Sequence, residues 1–308
     1  MRLAAVDLGS NSTRLLIADL DDEGRLTELE RRSTVTRLGQ GVDRDGRLNP
    51  TAVTRVTDEL AVVRRLLDEH RVERVVGVLT SAVRDAEDGA AFTARVRDEF
   101  GIDARTIPGE QEAALTFLGA TSGRAPSNDR IAVVDVGGGS TEFVIGRGQE
   151  VEFRVSTQAG VVRQTERHVD HDPPRHDELT AMAEDVRAIF AAAVPEEVRR
   201  GVDAIIAVAG TATSCAAIAQ ELDPYDADRV HGYRLTLAEI ESLLARLAQM
   251  DEPERRRVPG LQPDRAPTIV AGCVLLSNAL RQFDAVACEV SEHDILRGAV
   301  IAAATGQL

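Results

Sequence analysis

Two short stretches hold the residue types that could do chemistry. The first runs Leu3-Ala-Ala-Val-Asp7-Leu-Gly9-Ser10-Asn11-Ser12-Thr13-Arg14-Leu-Leu-Ile17. The second runs Ile131-Ala-Val-Val-Asp135-Val-Gly137-Gly138-Gly139-Ser140-Thr141-Glu142-Phe-Val-Ile145. They align without a gap, pairing Asp7 with Asp135, Gly9 with Gly137, Ser12 with Ser140 and Thr13 with Thr141. Glycine lets a backbone approach a ligand and aim successive N–H groups at it, which makes an anion-binding nest. Serine and threonine hydroxyls add donors. Gly9 to Thr13 and Gly137 to Thr141 are therefore candidate phosphate binders. An aspartate at the end of a buried strand can hold a divalent cation, through water where the ion is Mg²⁺. Either loop alone reads as a plain hairpin turn. The shared Asp-x-Gly-x-x-Ser-Thr argues instead for two related domains whose loops face each other and grip two phosphates of one chain.

Two further residues have candidate roles. Glu112 falls in the first turn of a predicted helix opened by Pro108-Gly109-Glu110-Gln111. It either favours the helix dipole or acts as a general base activating water for attack on phosphorus. A reference pKa of about 4.3 makes it a base at neutral pH. Arg84 follows a strand, where α/β folds place ligand groups. It is an exposed turn residue or a bidentate phosphate clamp.

Composition narrows the chemistry. All 36 basic side chains are Arg, since the sequence holds no Lys. A P-loop, which needs its Lys, is excluded, as are a Schiff-base enzyme and a protein kinase. The net charge of −15 argues against a general nucleic-acid binder. It does not forbid a small anion, because screening beyond a Debye length of about 8 Å leaves the local site to decide. Aromatics are 3% of residues with no Trp, so the core must come from Ala, Val, Leu and Ile. Cys215, Cys273 and Cys288 lack CxxC spacing and read as buried free thiols. No apolar run approaches the about 18 residues of a membrane span, and Asp7 interrupts the first apolar stretch too early for a signal peptide. A cytoplasmic protein is the expectation.

The positioning elements read as alternating strands and helices, hence α/β with largely covered sheets. At 308 residues the chain suggests about two domains. Asn49 caps a predicted helix with Pro50 at its first position, and Val53, Val56, Leu60, Val63 and Leu67 give its apolar stripe. Val75 to Thr80 reads as a buried strand and Ala90 to Phe100 as a helix stopped by Gly101. The polar stretch Gly123 to Asn128 is the predicted junction. It gives a first domain of 1–124 plus a C-terminal helix 294–308, and a second of 125–293. Later elements are a strand from Val151, helices near Gly160 and Glu178, and strand Ala204 to Ala209 leading into Gly210-Thr-Ala-Thr213. His168, His171 and His176 cluster beside Pro173 and Pro174 and read as a solvated loop rather than metal ligands. Arg255-Arg256-Arg257 reads as a solvated helix end rather than an anion contact.

Asp7-Leu-Gly-Ser-Asn-Ser-Thr-Arg-Leu15, Thr80-Ser-Ala-Val-Arg84-Asp-Ala, Gly109-Glu-Gln-Glu112-Ala and Asp135-Val-Gly-Gly-Gly-Ser-Thr-Glu142 together resemble the exopolyphosphatase / guanosine pentaphosphate phosphohydrolase family. Gly160-Val-Val-Arg-Gln-Thr-Glu-Arg167, Gly210-Thr-Ala-Thr-Ser214, His231-Gly-Tyr-Arg-Leu235 and Leu296-Arg-Gly298 extend the resemblance over nearly the whole chain. It implies two ribonuclease-H-like domains of the actin/hexokinase/Hsp70-like superfamily around a cleft. It also implies Mg²⁺-dependent release of terminal orthophosphate from inorganic polyphosphate, or of the 5′ γ-phosphate from guanosine pentaphosphate. Carried over by motif, Glu112 is the catalytic base, and Asp7, Asp135 and Glu142 organise metal and water. Both loops cradle phosphates and Arg84 binds the chain. Pro108 stands where the family commonly has Ser, and Gln111 where Glu is frequent. The chain resembles the short two-domain members, and the family admits a homodimer. Two rivals remain at this point: an ATPase or kinase of the same superfamily, and a non-catalytic alarmone-binding protein.

Overall fold

Asp7 and Asp135 each stand near the end of the first strand of a separate sheet. In the computed structural model, which describes residues 1–308 except Asp22, Gly24 and Pro126, the strands and helices follow in order. The first are β1 (Arg2–Leu8), β2 (Ser12–Leu20), β3 (Leu26–Val35), α1 (Val42–Asp45), α2 (Pro50–Glu69), β4 (Arg74–Leu79), α3 (Ser81–Asp85), α4 (Gly89–Phe100), β5 (Asp103–Thr106) and α5 (Gly109–Thr121). Then come β6 (Arg130–Val136), β7 (Thr141–Arg147), β8 (Glu150–Thr157), α6 (Val161–His168), α7 (His176–Ala193), α8 (Glu196–Arg199), β9 (Ala204–Val208) and α9 (Ala209–Ala219). The last are α10 (Ala227–Val230), β10 (Arg234–Thr236), α11 (Leu237–Leu247), α12 (Glu252–Arg255), α13 (Ile269–Gln282), β11 (Ala287–Val290) and α14 (Ile295–Ala304). The chain divides into two compact units, Met1–Ala125 with His293–Leu308, and Pro126–Glu292. The expected junction Gly123 to Asn128 contains Pro126, which lies outside the described residues.

The first unit has the sheet order β3-β2-β1-β4-β5. Strand β2 runs antiparallel to both neighbours, while β1, β4 and β5 are parallel. The second has β10-β11-β9-β6-β7-β8. Setting aside the antiparallel edge strand β10, its strands take the same spatial order, third-second-first-fourth-fifth, with β7 antiparallel. Each unit is thus an α/β, ribonuclease-H-like sheet, as the resemblance implies.

Strand residues alternate faces, and β1 uses both. Ala4, Val6 and Leu8 pack with Val56, Leu60, Val63 and Leu67 of α2 and with Val96 of α4. Leu3 and Ala5 pack with Leu115 of α5 and with Leu296, Ala299 and Val300 of α14. A sheet covered on both sides explains the unbroken apolar runs before Asp7 and Asp135. The Asn49 side chain accepts hydrogen bonds from the amides of Thr51 and Ala52, so α2 starts where the cap and Pro50 predict. Val53, expected in the stripe, is only half-buried. Helices α5 and α14 cross at two glycines. A Cβ on Gly119 would stand 1.9 Å from the Asp294 carbonyl oxygen, and one on Gly298 1.9 Å from that of Leu115.

In the second unit Phe143 and Phe190 meet edge to face at 4.8 Å, and α13 is buried along almost its whole length. The structure corrects one sequence expectation here. Arg255 is not part of a solvated helix end but 4% exposed. Its guanidinium donates to the carbonyls of Ala266 and Met250 and to the Asp172 carboxylate, so its five donors tie three segments together. A polar loop lies between α6 and α7 as expected, but of the three histidines only His171 belongs to it: His168 ends α6 and His176 begins α7. His168 pairs with Asp185 and His171 with Glu178. No helix among the described residues is long and apolar enough to cross a membrane.

Candidate functional site

The two hairpins close by the same bond. Gly9 N–H donates to the Ser12 carbonyl and Gly137 N–H to that of Ser140, both at 3.0 Å. In the second loop the remaining carbonyls are committed to α6. Gly137 and Gly138 accept from the amides of Val161 and Val162, and Gly139 accepts from the Arg163 guanidinium. In a trans peptide the N–H points opposite the carbonyl. The N–H groups of Gly138, Gly139 and Ser140 therefore face away from α6, as an anion nest requires. Gly160 has no room for a side chain, since a Cβ would stand 2.4 Å from the Gly138 carbonyl oxygen.

In the first loop the Ser10 carbonyl accepts from Gly39 and that of Asn11 from Thr36 and Arg37. The Asn11 N–H consequently points away from Gly39. The Ser10 hydroxyl lies 2.8 Å from that of Ser81 and accepts from Ala82 N–H, which ties this loop to the start of α3. Three residues on, Arg84 uses one nitrogen, Nη1, to reach both the Ile107 carbonyl at 2.9 Å and Glu112 Oε2 at 3.2 Å. The Nε/Nη2 edge of the guanidinium, the fork suited to phosphate oxygens, is left over. Glu112 is 8% exposed in the first turn of α5. Loop, arginine and glutamate form one connected run within the first unit.

Thr13 and Thr141 differ from the other loop residues. The Thr13 hydroxyl meets that of Thr36, and the Thr141 hydroxyl donates to the Ala159 carbonyl. Both are buried, and these bonds fasten the hairpins to neighbouring loops.

The hairpin register pairs Asp7 with Arg14 in the first unit and Asp135 with Glu142 in the second. Arg14 places Nε and Nη2 on the single oxygen Asp7 Oδ2, at 2.8 and 2.5 Å, and Nη1 on Asp294 Oδ2 at 2.5 Å. Asp294 caps α14 through its other oxygen, which accepts from Leu296 N–H. Burial raises the Asp7 carboxyl above the usual carboxylate range, Arg14 opposes that shift, and the Asp294 charge adds to it. In the second unit Glu142 Oε1 accepts from the Ser156 hydroxyl.

These groups fit a divalent cation that protein oxygens hold only in part. Asp7 Oδ1 and Asn11 Oδ1 are buried without a hydrogen-bond partner. Gly9 keeps the ground beside Asp7 open, since a Cβ there would stand 3.8 and 3.9 Å from its two oxygens. Among the described residues no group of three His, Cys, Asp or Glu side chains could hold a metal alone. Mg²⁺ keeps several waters and is bound by one or two carboxylates plus substrate phosphates, so Asp7 and Asn11 would supply part of such a shell.

The model of the Ppx/GppA phosphatase family matches residues 16–303. The chain belongs to that family. It is 37% identical to exopolyphosphatase 2 of Mycobacterium tuberculosis over 98% of both chains. A crystal structure of the Aquifex aeolicus family member superposes with a TM-score of 0.82 at 32% identity, covering 100% of this chain and 98% of that one. An exopolyphosphatase from Cytophaga hutchinsonii superposes at 0.88 with 27% identity, covering 99% and 98%. As a Ppx/GppA phosphatase the chain is a phosphohydrolase acting on acid anhydrides. Sequence reading missed the place of Asp294 in the site. Its signal was an acidic residue just before an apolar helix, which announces a cap but not a partner 280 residues away.

Proposed function

We propose that the chain is an exopolyphosphatase, which releases terminal orthophosphate from inorganic polyphosphate with a divalent cation, Mg²⁺ or a similar ion. The carrying observation is the connected run Ser10–Ser81/Ala82–Arg84–Glu112, which puts a phosphate-type loop, a guanidinium fork and a buried carboxylate in one framework. The 37% identity to an exopolyphosphatase supports the substrate class.

In this reading Ser10, Asn11 and Ser12, and likewise Gly138, Gly139 and Ser140, fix phosphate oxygens with backbone N–H groups and hydroxyls, while Gly9 and Gly137, whose own N–H groups close the hairpins, let the backbone come close to the ligand. Thr13 and Thr141 hold those loops in shape. Arg84 offers Nε and Nη2 to the chain. Glu112, its orientation set by Arg84, accepts a proton from the water that attacks the terminal phosphorus in line. Asp7 in the first unit, and Asp135 and Glu142 in the second, are the carboxylates that would hold a cation, which when bound offsets the negative charge of the phosphates. Predominantly electrostatic stabilisation suits a loose phosphoryl-transfer transition state.

Phosphate release from polyphosphate, guanosine pentaphosphate and ATP, each with and without Mg²⁺, tests the reading. Fastest turnover of polyphosphate, lost on chelation, is expected. Preference for ATP or for the pentaphosphate would replace the substrate assignment, and unchanged turnover after chelation would remove the cation.

A further inference from the structure

We infer that Asp294 is a positioning residue that keeps one oxygen of Asp7 available for the cation by holding Arg14 off it. The inference rests on the cation-binding reading of Asp7 given above. An isolated Arg–Asp pair prefers two parallel N–H···O bonds, one to each carboxylate oxygen. Asp7 and Arg14 are directly opposed in the β1–β2 register and could adopt that arrangement. They do not. Both Nε and Nη2 converge on Oδ2, and Oδ1 stays buried without a partner. The third nitrogen, Nη1, is drawn to Asp294 Oδ2 at 2.5 Å.

The anchor at the other end is firm. Asp294 is 4% exposed, caps α14 and lies on the backbone segment against which Gly119 packs. Arg31 lies 3.7 Å from its Oδ1, the oxygen that Arg14 does not use. Charge works in the same direction as geometry. Asp7, Arg14 and Asp294 together carry −1, whereas Asp7 and Arg14 alone sum to zero. Without Asp294 the guanidinium loses the carboxylate that draws Nη1 away from Asp7, and its positive charge there is no longer offset.

Asp294→Ser and Asp294→Asn both keep a side-chain oxygen that can cap α14, so each separates the cap from the ion pair. Mn²⁺ is the probe. Its binding to the protein alone is read from the loss of the free-ion electron paramagnetic resonance signal, next to thermal unfolding and the Mg²⁺ dependence of phosphate release. The expected result is a melting temperature close to wild type, Mn²⁺ affinity weaker by about 10- to 100-fold, and a matching rise in the Mg²⁺ concentration for half-maximal activity with less change in kcat. Mn²⁺ affinity within twofold of wild type in the folded variants overturns the inference and leaves the cation reading standing. No Mn²⁺ binding by wild type overturns both. Should neither variant fold, Arg14→Lys keeps the charge but cannot span both carboxylates. The same weakening there supports the inference, and unchanged affinity overturns it.

Discussion

Asp135 and Glu142 stand directly opposite each other across the β6–β7 hairpin, both almost fully buried. Directly opposed side chains share a face of the sheet with their Cβ atoms about 5 Å apart, and like charges in that position destabilise. The corresponding positions of the first unit hold Asp7 and Arg14, an attractive pair. The second hairpin therefore sets two acids side by side where the first has an ion pair, an arrangement that would suit a bound divalent cation.

Glu142→Gln should uncouple stability from function. The amide oxygen can still accept from Ser156, while the like charge opposite Asp135 is removed. The cation-free protein should gain up to about 1 kcal/mol, and phosphate release should fall by at least about 100-fold. Thermal melts with chelator, beside activity with Mg²⁺, check both halves. A variant less stable than wild type with normal activity would refute the assignment.

Glu112→Gln should lower kcat by about 10²- to 10⁴-fold. Polyphosphate binding should persist, because Gln can still meet Arg84 through its amide oxygen. Phosphate release and direct binding, measured on one preparation, separate the effects. Near-normal turnover would remove Glu112 from the role of base.

Local signals made the loops and Glu112 legible in the sequence. A hairpin closed by glycine, a strand ending in Asp and a carboxylate in a helix's first turn all lie within a few residues. The Asn49–Pro50 start of α2 is visible for the same reason. Hidden features depend on distant chain. Arg14 and Asp294 meet across 280 residues, and Arg255 is buried because segments around Met250, Ala266 and Asp172 converge on it. Helix α13 is apolar nearly all round, so it lacks the amphipathic 3.6-residue period that announces a surface helix. Thr13 and Thr141 match the phosphate-loop pattern by type, yet their hydroxyls meet Thr36 and Ala159, which no local pattern specifies.

Gly298→Ala should destabilise the first unit despite the better helix propensity of alanine. Propensity favours Ala by about 1 kcal/mol. The added Cβ, however, would fall 1.9 Å from the Leu115 carbonyl oxygen, a backbone atom that moves only if α5 moves. Overpacking of this kind costs about 1–3 kcal/mol or more. A melting temperature lower by several degrees is expected. A rise would show that α5 and α14 separate without cost.

Acid stability of the second unit should depend on Glu178. His171, and then the backbone N–H groups of Arg175 and Asp170, bind its carboxylate and lower its pKa from 4.5 to about 2. An acid with a depressed folded-state pKa stabilises the fold above its unfolded value. That contribution fades as pH falls from about 4.5 and is lost below about 2. Glu178→Gln removes it. Wild type should therefore resist urea better than the variant at pH 5 to 7, with the two converging as pH falls towards 2. A difference in unfolding midpoint that stays constant from pH 7 to pH 2 would show that Glu178 acts only as an uncharged cap of α7.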